Sequence, residues 1–492
     1  MEYTEILDFE SSKLLKIFKL LSVRNEPSSL EELSVKLGVH SKTIARSLKK
    51  IKNLIKHYQL EEHLEICCRS KNHFYLKRTN DLYVALFIVR YLNDLPEIIF
   101  LKAIIEEKTI QTKQLAKKLL ISESSMRRRV KKINQVLKKM TIRLKWGTYE
   151  LIGEEEQIRA LILGFYWFVY QGTENDFLLQ EKVRSQCVTD QLVHFFQMKI
   201  NGLQKESLFR IVQIAAWRSR HGRKVLIKKE WRQYIENSDI FTRFIVAMGS
   251  QNLVDNWDHE ELSYLYLTVQ ANFLAYFDPS VQTFIIEEHY SKKTTCYRKT
   301  HLATQKFKQV FWDKNFNQSN GSIVSFLSFH LYYELIASFP FERNTTIADL
   351  EKNYPSFMRK LEKGIGEMIE ENRSYQRIPK EALYSRYFII LSSLIPPLYN
   401  EKRVLICLMT DLSLEKEKEL GKRITNYFEY KFNLMVIYAR TSSSISYADI
   451  ILTTVIYQAL EQQHIQHVLL IEPIFSEELF IQIEKLIKEV GK

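Results

Sequence analysis

Two stretches near the beginning of the chain repeat one arrangement of apolar residues. In the first stretch this arrangement comprises Leu33, Leu37, Ile44, Leu48 and Ile51. The positions 82 residues later hold Leu115, Leu119, Met126, Val130 and Ile133. Apolar residues spaced by three and four positions fall on one face of an α-helix. Each copy therefore predicts two short helices joined by a tight turn, which is the pattern of a helix-turn-helix unit.

The predicted turn between the two helices differs between the copies. Gly38 predicts a left-handed backbone in the first copy, and Ser41 is the expected N-cap of its second helix. The second copy has Leu120 in place of Gly38, so we expect a less favourable turn there, with Ser122 as the cap.

The second helix of each copy presents a polar face that suits a nucleic acid. In DNA-binding units of this kind the helix lies in the major groove and contacts base edges near its N-terminus. Arginine can bind guanine through two hydrogen bonds, whereas lysine and serine more often contact phosphates. The candidate DNA-binding residues are Lys42, Thr43, Arg46, Ser47 and Lys50 in the first copy, and Ser124, Ser125, Arg127, Arg128, Lys131 and Lys132 in the second.

Each copy is followed by a predicted β-hairpin. The first hairpin pairs residues 64–69 with 73–77, and the second pairs 142–145 with 148–152 around Trp146 and Gly147. A helix-turn-helix unit followed by a hairpin is a winged helix. The alternative is a pair of ordinary helical hairpins with solvated charged faces. The repeat, the hairpins and the distribution of charge together favour two winged helices.

The charge of the chain is concentrated in the same region. The full sequence contains 71 Lys and Arg against 58 Asp and Glu, a net charge of +13. Residues 1–150 contain 30 of the basic and 17 of the acidic residues, so the rest of the chain contains 41 of each and is neutral. Basic side chains near a phosphate backbone release condensed counterions, so nucleic acid is the expected partner of this segment. The neutral remainder suggests a regulatory body.

The remainder divides into a long helical region and a C-terminal segment of different pattern. With 13 Gly and 9 Pro among 492 residues, we expect a mainly helical protein of several domains. Residues 160–282 and 283–398 are predicted to form two all-helical domains. Apolar runs at 404–409, 432–438, 450–454 and 467–471 alternate with predicted helices at 413–428 and 476–490. This alternation predicts a small α/β domain with a parallel sheet over residues 400–492.

Composition also bears on the compartment and on chemistry. The longest apolar run, residues 160–170, is shorter than the roughly 20 residues that span a bilayer. Residues 1–10 do not resemble a signal peptide, and the five scattered cysteines indicate free thiols in a reducing cytoplasm. We therefore expect a cytoplasmic protein that contacts no membrane, holds no cofactor or metal, and is not an enzyme.

This order of domains resembles the Mga/AtxA family of transcriptional regulators from Gram-positive pathogens. The resemblance is most specific in the head, where residues 1–80 and 81–159 correspond to two winged helix-turn-helix domains and the junction reads Leu151-Ile152-Gly153-Glu154. It implies phosphotransferase-system regulation domains (PRDs) over residues 160–282 and 283–398, and a domain similar to the EIIB component of sugar transporters over 400–492. It also implies binding to double-stranded promoter DNA, activation of transcription as a virulence regulator, and a homodimer or higher oligomer formed through residues 400–492.

The resemblance further implies control by phosphoryl transfer from phosphocarrier proteins of the sugar phosphotransferase system (PTS). His194, within Leu192-Val193-His194-Phe195-Phe196, is similar to the first acceptor histidine of the family, and His330 is the candidate in the second domain. Thr268 occupies the other usual acceptor position of the first domain. The alternative for both histidines is a packed, hydrogen-bonded position in the core. A phosphorylated histidine would add up to two negative charges and change a helical interface.

Two other functions share part of this pattern. An RNA-binding antiterminator has the same regulation domains but begins with a small β-rich domain, which the helix-turn-helix head argues against. A phosphocarrier-like protein of the PTS needs a phosphocysteine loop, yet Cys407 is followed by Leu408-Met409-Thr410-Asp411 without glycine. The sequence therefore favours a DNA-binding transcriptional regulator whose EIIB-like domain has lost its chemistry.

Overall fold

Helices dominate the structure of the chain. The computed structural model describes residues 3–23, 26–70, 72–108, 111–173, 175–249, 257–272, 278–311, 320–336, 347–455, 467–472 and 476–490. The predicted mainly helical class is confirmed over these residues. Within the same ranges, every helix is too short or too polar to cross a membrane.

The chain divides into two compact units. The first comprises Met1–Tyr297 and Leu327–Phe341, and the second comprises Arg298–Phe326 and Glu342–Lys492. This division is coarser than the predicted domains, so the boundaries after residues 80, 159, 282 and 398 remain predictions.

The first unit begins with helices and a small antiparallel sheet. A 3-10 turn at Tyr3–Ile6 precedes the first helix. The elements that follow are α1 (Phe9–Val23), β1 (Ser28–Ser29), α2 (Leu30–Leu37), α3 (Ser41–His57), β2 (Leu64–Ser70) and β3 (His73–Arg78). The sheet has the order β1-β3-β2, so the predicted hairpin gains a third, short strand.

The second repeat also consists of a helix pair followed by a hairpin. Two further helices, α4 (Asp81–Asn93) and α5 (Pro96–Ile105), precede the predicted pair. The pair itself is α6 (Thr112–Lys118) and α7 (Glu123–Lys138). Its hairpin, β4 (Arg143–Leu144) with β5 (Leu151–Ile152), is shorter than predicted because only two residues of each strand pair.

A bundle of long helices makes up the rest of the first unit. Its core is rich in buried aromatic side chains, among them Phe165, Phe177, Phe196, Phe244 and Tyr266. The helices after β5 in this unit are α8 (Glu155–Tyr170), α9 (Lys182–Phe195), α10 (Gly202–Arg220), α11 (Asp239–Gly249), α12 (His259–Ala271) and α13 (Pro279–Ser291). Most of α14 (Thr295–Phe311) belongs to the second unit, and α15 (Asn320–Leu335) belongs to the first unit from residue 327 onwards.

The second unit combines helices with a parallel sheet. Its later helices are α16 (Ile347–Asn353), α17 (Pro355–Glu371) and α18 (Lys380–Ser392). The C-terminal segment contains β6 (Val404–Met409), α19 (Leu414–Phe428), β7 (Leu434–Tyr438), α20 (Ser442–Ser446), β8 (Ile450–Thr453), β9 (Val468–Leu470) and α21 (Glu477–Val490). All neighbouring strands are parallel in the order β7-β6-β8-β9, which confirms the predicted parallel sheet.

The C-terminal segment has a hydrophobic core of its own. Buried side chains of β6, β8, α19 and α21 pack together, and every member of this cluster lies between Val404 and Val490. Glu401, just before β6, instead belongs to the preceding helices, because its carboxylate accepts hydrogen bonds from the backbone N–H groups of Ser356 (3.0 Å) and Phe357 (2.9 Å) at the start of α17. The core is therefore self-contained from residue 404 onwards.

Candidate nucleic-acid interface

The first helix-turn-helix unit turns at a glycine. Gly38 follows α2 with a φ of 62°, which confirms the predicted left-handed turn. The N-cap of α3 is His40, whose Nδ1 accepts a hydrogen bond from the Lys42 N–H at 3.2 Å. The prediction of Ser41 as the cap was wrong by one position, since Ser41 is the first residue of the helix.

The exposed face of α3 is cationic. Lys42, Arg46 and Lys50 are exposed, and Thr43 is half-buried. Ser47 is only 6% exposed, so the prediction that it lies on the DNA-facing surface was wrong. Positions 44, 47, 48 and 51 share one helix face, which places the small serine inside the apolar contact of the unit.

The second helix-turn-helix unit makes the same turn without glycine. The Ser122 hydroxyl accepts a hydrogen bond from the Ser125 N–H at 3.2 Å, which confirms the predicted cap of α7. Leu120 takes the place of Gly38 and adopts a left-handed φ of 54°. Such a backbone costs a side chain with a Cβ about 1–2 kcal/mol, so the turn is strained as expected.

Four of the candidate residues on α7 are exposed: Ser124, Arg127, Arg128 and Lys131. The Arg127 guanidinium lies 2.8 Å from the Glu123 carboxylate, an exposed pair one helical turn apart. Exposed pairs contribute little free energy, so a phosphate can replace Glu123. The side chains of Arg128 and Lys131 make no ion pair within the described part of the chain, and this leaves them ready for a ligand.

Two other candidates on α7 have partners within the protein. The Lys132 ammonium donates to the backbone carbonyl of Leu7, and the half-buried Ser125 hydroxyl accepts from Arg129. Contact of Lys132 and Ser125 with DNA stays a prediction, since both side chains are half-buried and already have partners. The Lys132 contact holds α7 against Leu7, whereas the Ser125 contact lies within α7.

Arg129, which is not among the predicted DNA-binding residues, lies at the centre of this internal contact. Its Nε donates to the carboxylate of Glu97 at 2.9 Å, and its Nη2 pairs with Asp8. Glu97 is completely buried, and burial raises the pKa of its carboxyl group despite the neighbouring Arg129. Arg129 is thus structural, although it belongs to a run of three arginines.

Each hairpin places exposed side chains beside the helix pair that precedes it. In the first, Arg69, His73 and Lys77 are exposed. In the second, the Trp146 side chain at the tip is 94% exposed, which is unusual for such a large apolar group. The sequence showed the turn at Trp146 but not this exposure. DNA-binding proteins often insert apolar side chains into the minor groove, so Trp146 joins the candidate interface.

A chain of buried ion pairs connects the second helix-turn-helix unit to the helical bundle of the first compact unit. Arg159 on α8 makes two hydrogen bonds to the Glu261 carboxylate on α12, at 2.8 and 2.9 Å. Arg218 on α10 binds both oxygens of Glu155 at 2.8 Å and also donates to Glu107, which follows α5, at 2.9 Å. These pairs couple the positions of α5, α8, α10 and α12.

The two candidate phosphoacceptor histidines lie in different environments. His194 is exposed in the last turn of α9, where another protein can reach it. His330 on α15 is completely buried, beside the ring of Phe329, and a phosphocarrier could reach it only after α15 had moved. Thr268 is also buried. Of these positions, only His194 is accessible in the structure.

Cys407 lies within β6 and is completely buried. Burial raises the pKa of its thiol to about 11, and the nearby Glu417 acts in the same direction. A thiol with this pKa is protonated near neutral pH and is a poor nucleophile. This environment does not suit a phosphocysteine.

Comparison with known proteins identifies one part of the chain. Residues 81–166 match the family described as the Mga helix-turn-helix domain. The matched segment runs from α4 into α8 and includes the exposed residues of α7 and the Trp146 hairpin. It confirms the predicted resemblance and supports membership of the Mga/AtxA family. No curated protein matches the chain.

Proposed function

We propose that this chain, as a member of the Mga/AtxA family, is a transcriptional activator that binds double-stranded promoter DNA through α3, α7 and their hairpins. The Mga helix-turn-helix domain at residues 81–166 suggests a DNA-binding transcriptional regulator. We further propose that the helical domains control its activity and that it oligomerises through residues 400–492.

The observation that carries this proposal is the exposed cationic face of α7. Arg128 and Lys131 point away from the protein without a carboxylate partner in the described ranges, and Arg127 has only an exposed one. Exposed cations that are not neutralised by the protein attract phosphates and release their counterions. Asp8 and Glu97, two acidic residues of the same region, instead form ion pairs with Arg129 inside the protein.

Replacing Arg127 and Arg128 with alanine should weaken duplex binding and its dependence on salt. Each lost phosphate contact removes about 0.9 from the slope of log K against log salt, so the slope should flatten by about 1–2 units. The measurement is fluorescence anisotropy of a labelled promoter-length duplex, titrated with the full-length protein at several salt concentrations.

The matched control removes two lysines outside the head. Lys416 and Lys418 are exposed on α19, and their replacement with alanine changes the net charge equally. This control should leave the slope unchanged. An unchanged slope for the arginine variant would show that these side chains face away from DNA, and tighter binding to single-stranded RNA than to the duplex would favour an antiterminator.

Control of the regulator is proposed to act through the helical domains. His194 is an exposed imidazole at the C-terminal end of α9, the negative end of the helix dipole. A phosphoryl group there would add negative charge to an unfavourable position, and the adjacent Phe195 packs on Phe244 of α11. Phosphorylation by a PTS phosphocarrier would therefore disturb the contact between α9 and α11.

Oligomerisation is proposed to depend on the C-terminal domain. Deletion of residues 404–492 should leave duplex binding by each chain but convert dimers to monomers. The cut follows Glu401, because this residue caps α17, and it removes a hydrophobic core that is self-contained. Sedimentation velocity of the two proteins at equal concentration measures the change. A truncated protein that still sediments as a dimer contradicts this assignment.

A further inference from the structure

A cavity of about 180 Å³ lies within the first unit, where α8, α10, α12 and α15 meet the 3-10 turn at the beginning of the chain. Its wall is mainly apolar. The apolar side chains that line it are Leu163, Trp167, Ile211, Ile214, Leu265 and Ile336. Partly open, mainly apolar pockets with a few polar groups are the usual form of small-molecule sites, so this cavity is a candidate for one.

One polar side chain in the cavity wall lacks a hydrogen bond. Thr268 is only 5% exposed, and its Oγ1 interacts with the Tyr264 hydroxyl but forms no hydrogen bond of good distance and angle. Most buried side-chain polar atoms are hydrogen-bonded, and leaving one unpaired costs about 1–3 kcal/mol. The hydroxyl can donate or accept, so a ligand with one hydrogen-bonding group would relieve this cost.

The charged groups of the wall already neutralise each other. Burial opposes the charge of Arg159, but Glu261 and Glu155 outweigh it and raise the pKa of the guanidinium. The guanidinium makes its hydrogen bonds to these two carboxylates and to the backbone carbonyl of Arg223. A carboxylate on a ligand would meet Glu261 without a free cation, so the wall suits an uncharged molecule.

The volume of the cavity limits the size of the ligand that it can hold. An engineered apolar cavity of about 150 Å³ binds benzene, whereas sites for drug-sized molecules occupy about 300–1,000 Å³. We infer that this cavity binds a small, uncharged aromatic molecule that carries one hydrogen-bonding group, such as an N–H, directed to Thr268. Trp167 and Tyr264 supply aromatic side chains on which such a ring can pack.

The cavity adjoins the segment that positions α7. The Tyr3 ring forms part of the wall, its hydroxyl donates to the carbonyl of Leu161 at 3.1 Å, and Gly164 leaves room for it, because a Cβ there would overlap the Tyr3 hydroxyl. A few residues further on, Leu7 and Asp8 bind Lys132 and Arg129 of α7. A ligand that moves Tyr3 would thus move α7, and its effect on DNA binding, unlike its binding to the cavity, rests on the proposed function.

Isothermal titration calorimetry of the full-length protein with indole and with toluene tests the inference without DNA. Indole carries an N–H donor, whereas toluene has none and fills a similar space. Both should bind the wild-type protein. Thr268→Val keeps the side-chain shape but removes the acceptor, so indole should bind about 3- to 10-fold more weakly while toluene binds as before, given about 0.5–1.5 kcal/mol for one hydrogen bond.

Two further variants complete the test. Ala215→Leu fills the cavity from α10 and should abolish binding of both probes. Thr425→Val, on α19 outside the cavity, should leave both unchanged. The inference is overturned if the wild-type protein binds neither probe. It is also overturned if Thr268→Val and Ala215→Leu both bind indole as tightly as the wild-type protein does. Because no DNA is present, either result leaves the proposed regulator function to its own experiment.

Discussion

Replacing Arg159 with methionine should lower the free energy of unfolding of the helical bundle by about 3–5 kcal/mol. Arg159 is 6% exposed and its partner Glu261 is 1% exposed, so the variant leaves a buried carboxylate without its cation. The Val225 N–H also donates to Glu261 and would remain, but one neutral donor does not replace a guanidinium bound through two hydrogen bonds. Hydrogen exchange of peptides from α8 and α12 measures the loss.

A double variant separates the charge from the shape of the side chain. With Arg159→Met and Glu261→Gln together, no buried charge is left unpaired, so most of the lost stability should return. Lys205→Met is the matched control, because Lys205 and Asp190 form an ion pair that is largely exposed, and such pairs contribute at most about 1 kcal/mol. Equal losses for Arg159→Met and Lys205→Met would show that the buried pair has no special role.

A second large loss of stability is expected at Arg129 but not at its neighbour Arg128 on the same helix. Arg129→Met should lower the free energy of unfolding of the second helix-turn-helix unit by about 3–5 kcal/mol, because it leaves Glu97 buried without a cation. Arg128→Met should change it by less than about 0.5 kcal/mol, because Arg128 is exposed. Hydrogen exchange of α5 and α7 peptides reports stability, and duplex titration reports DNA affinity.

The pH dependence of the Arg129 variant follows from the two carboxyl groups. Burial already raises the pKa of Glu97, and loss of Arg129 raises it further, so the variant takes up a proton on Glu97 as the pH falls. A group with a raised folded pKa is stabilised by acid, so the cost of Arg129→Met should shrink below neutral pH. A cost that stays constant from pH 7 to about pH 5 would contradict this account.

In the wild-type protein Asp8 behaves in the opposite way. Its burial opposes ionisation, but hydrogen bonds from Ser11 and the charge of Arg129 outweigh this and lower the pKa of its carboxyl group. A group with a lowered folded pKa contributes stability above its ordinary pKa of 3.8 and loses it as the pH falls further. The two carboxylates around Arg129 therefore act in different pH ranges.

Apolar spacing was sufficient to predict the helix pairs and the C-terminal sheet. Ile44, Leu48 and Ile51 are all buried on α3, and the apolar runs after residue 400 are strands in the expected order along the chain. These elements depend on side chains close together in the sequence, where the periods of helix and strand are visible. The match to the Mga helix-turn-helix domain agrees with this part of the prediction.

Polar side chains near the edge of a buried face could not be placed in the same way. Ser47 was assigned to the surface because serine is polar, yet its position in the helix period is that of a core residue. The internal partners of Lys132 and Arg129, which are Leu7 and Asp8, lie more than a hundred residues earlier in the sequence. Spacing within a helix carries no information about such distant partners.

The cavity and the buried ion pairs could not be predicted from the sequence either. Arg159 and Glu261 are 102 positions apart, and Tyr3 reaches Leu161 across 158 positions. Each of these residues taken alone is an ordinary polar side chain of a helix or turn. Only the packing of α8, α10 and α12 against the start of the chain brings them together.

The contact between Tyr3 and α8 also sets the order in which the protein can be completed during synthesis. Leu161 is made 158 residues after Tyr3. At about 5–20 residues per second, translation takes roughly 8–30 s to cover this interval. Arg129, the partner of Asp8 on α7, is made before α8, but Tyr3 has no partner until α8 has emerged, so the first unit cannot reach its final structure before then. A tag fused to the N-terminus would remain next to this late-forming contact in the finished protein.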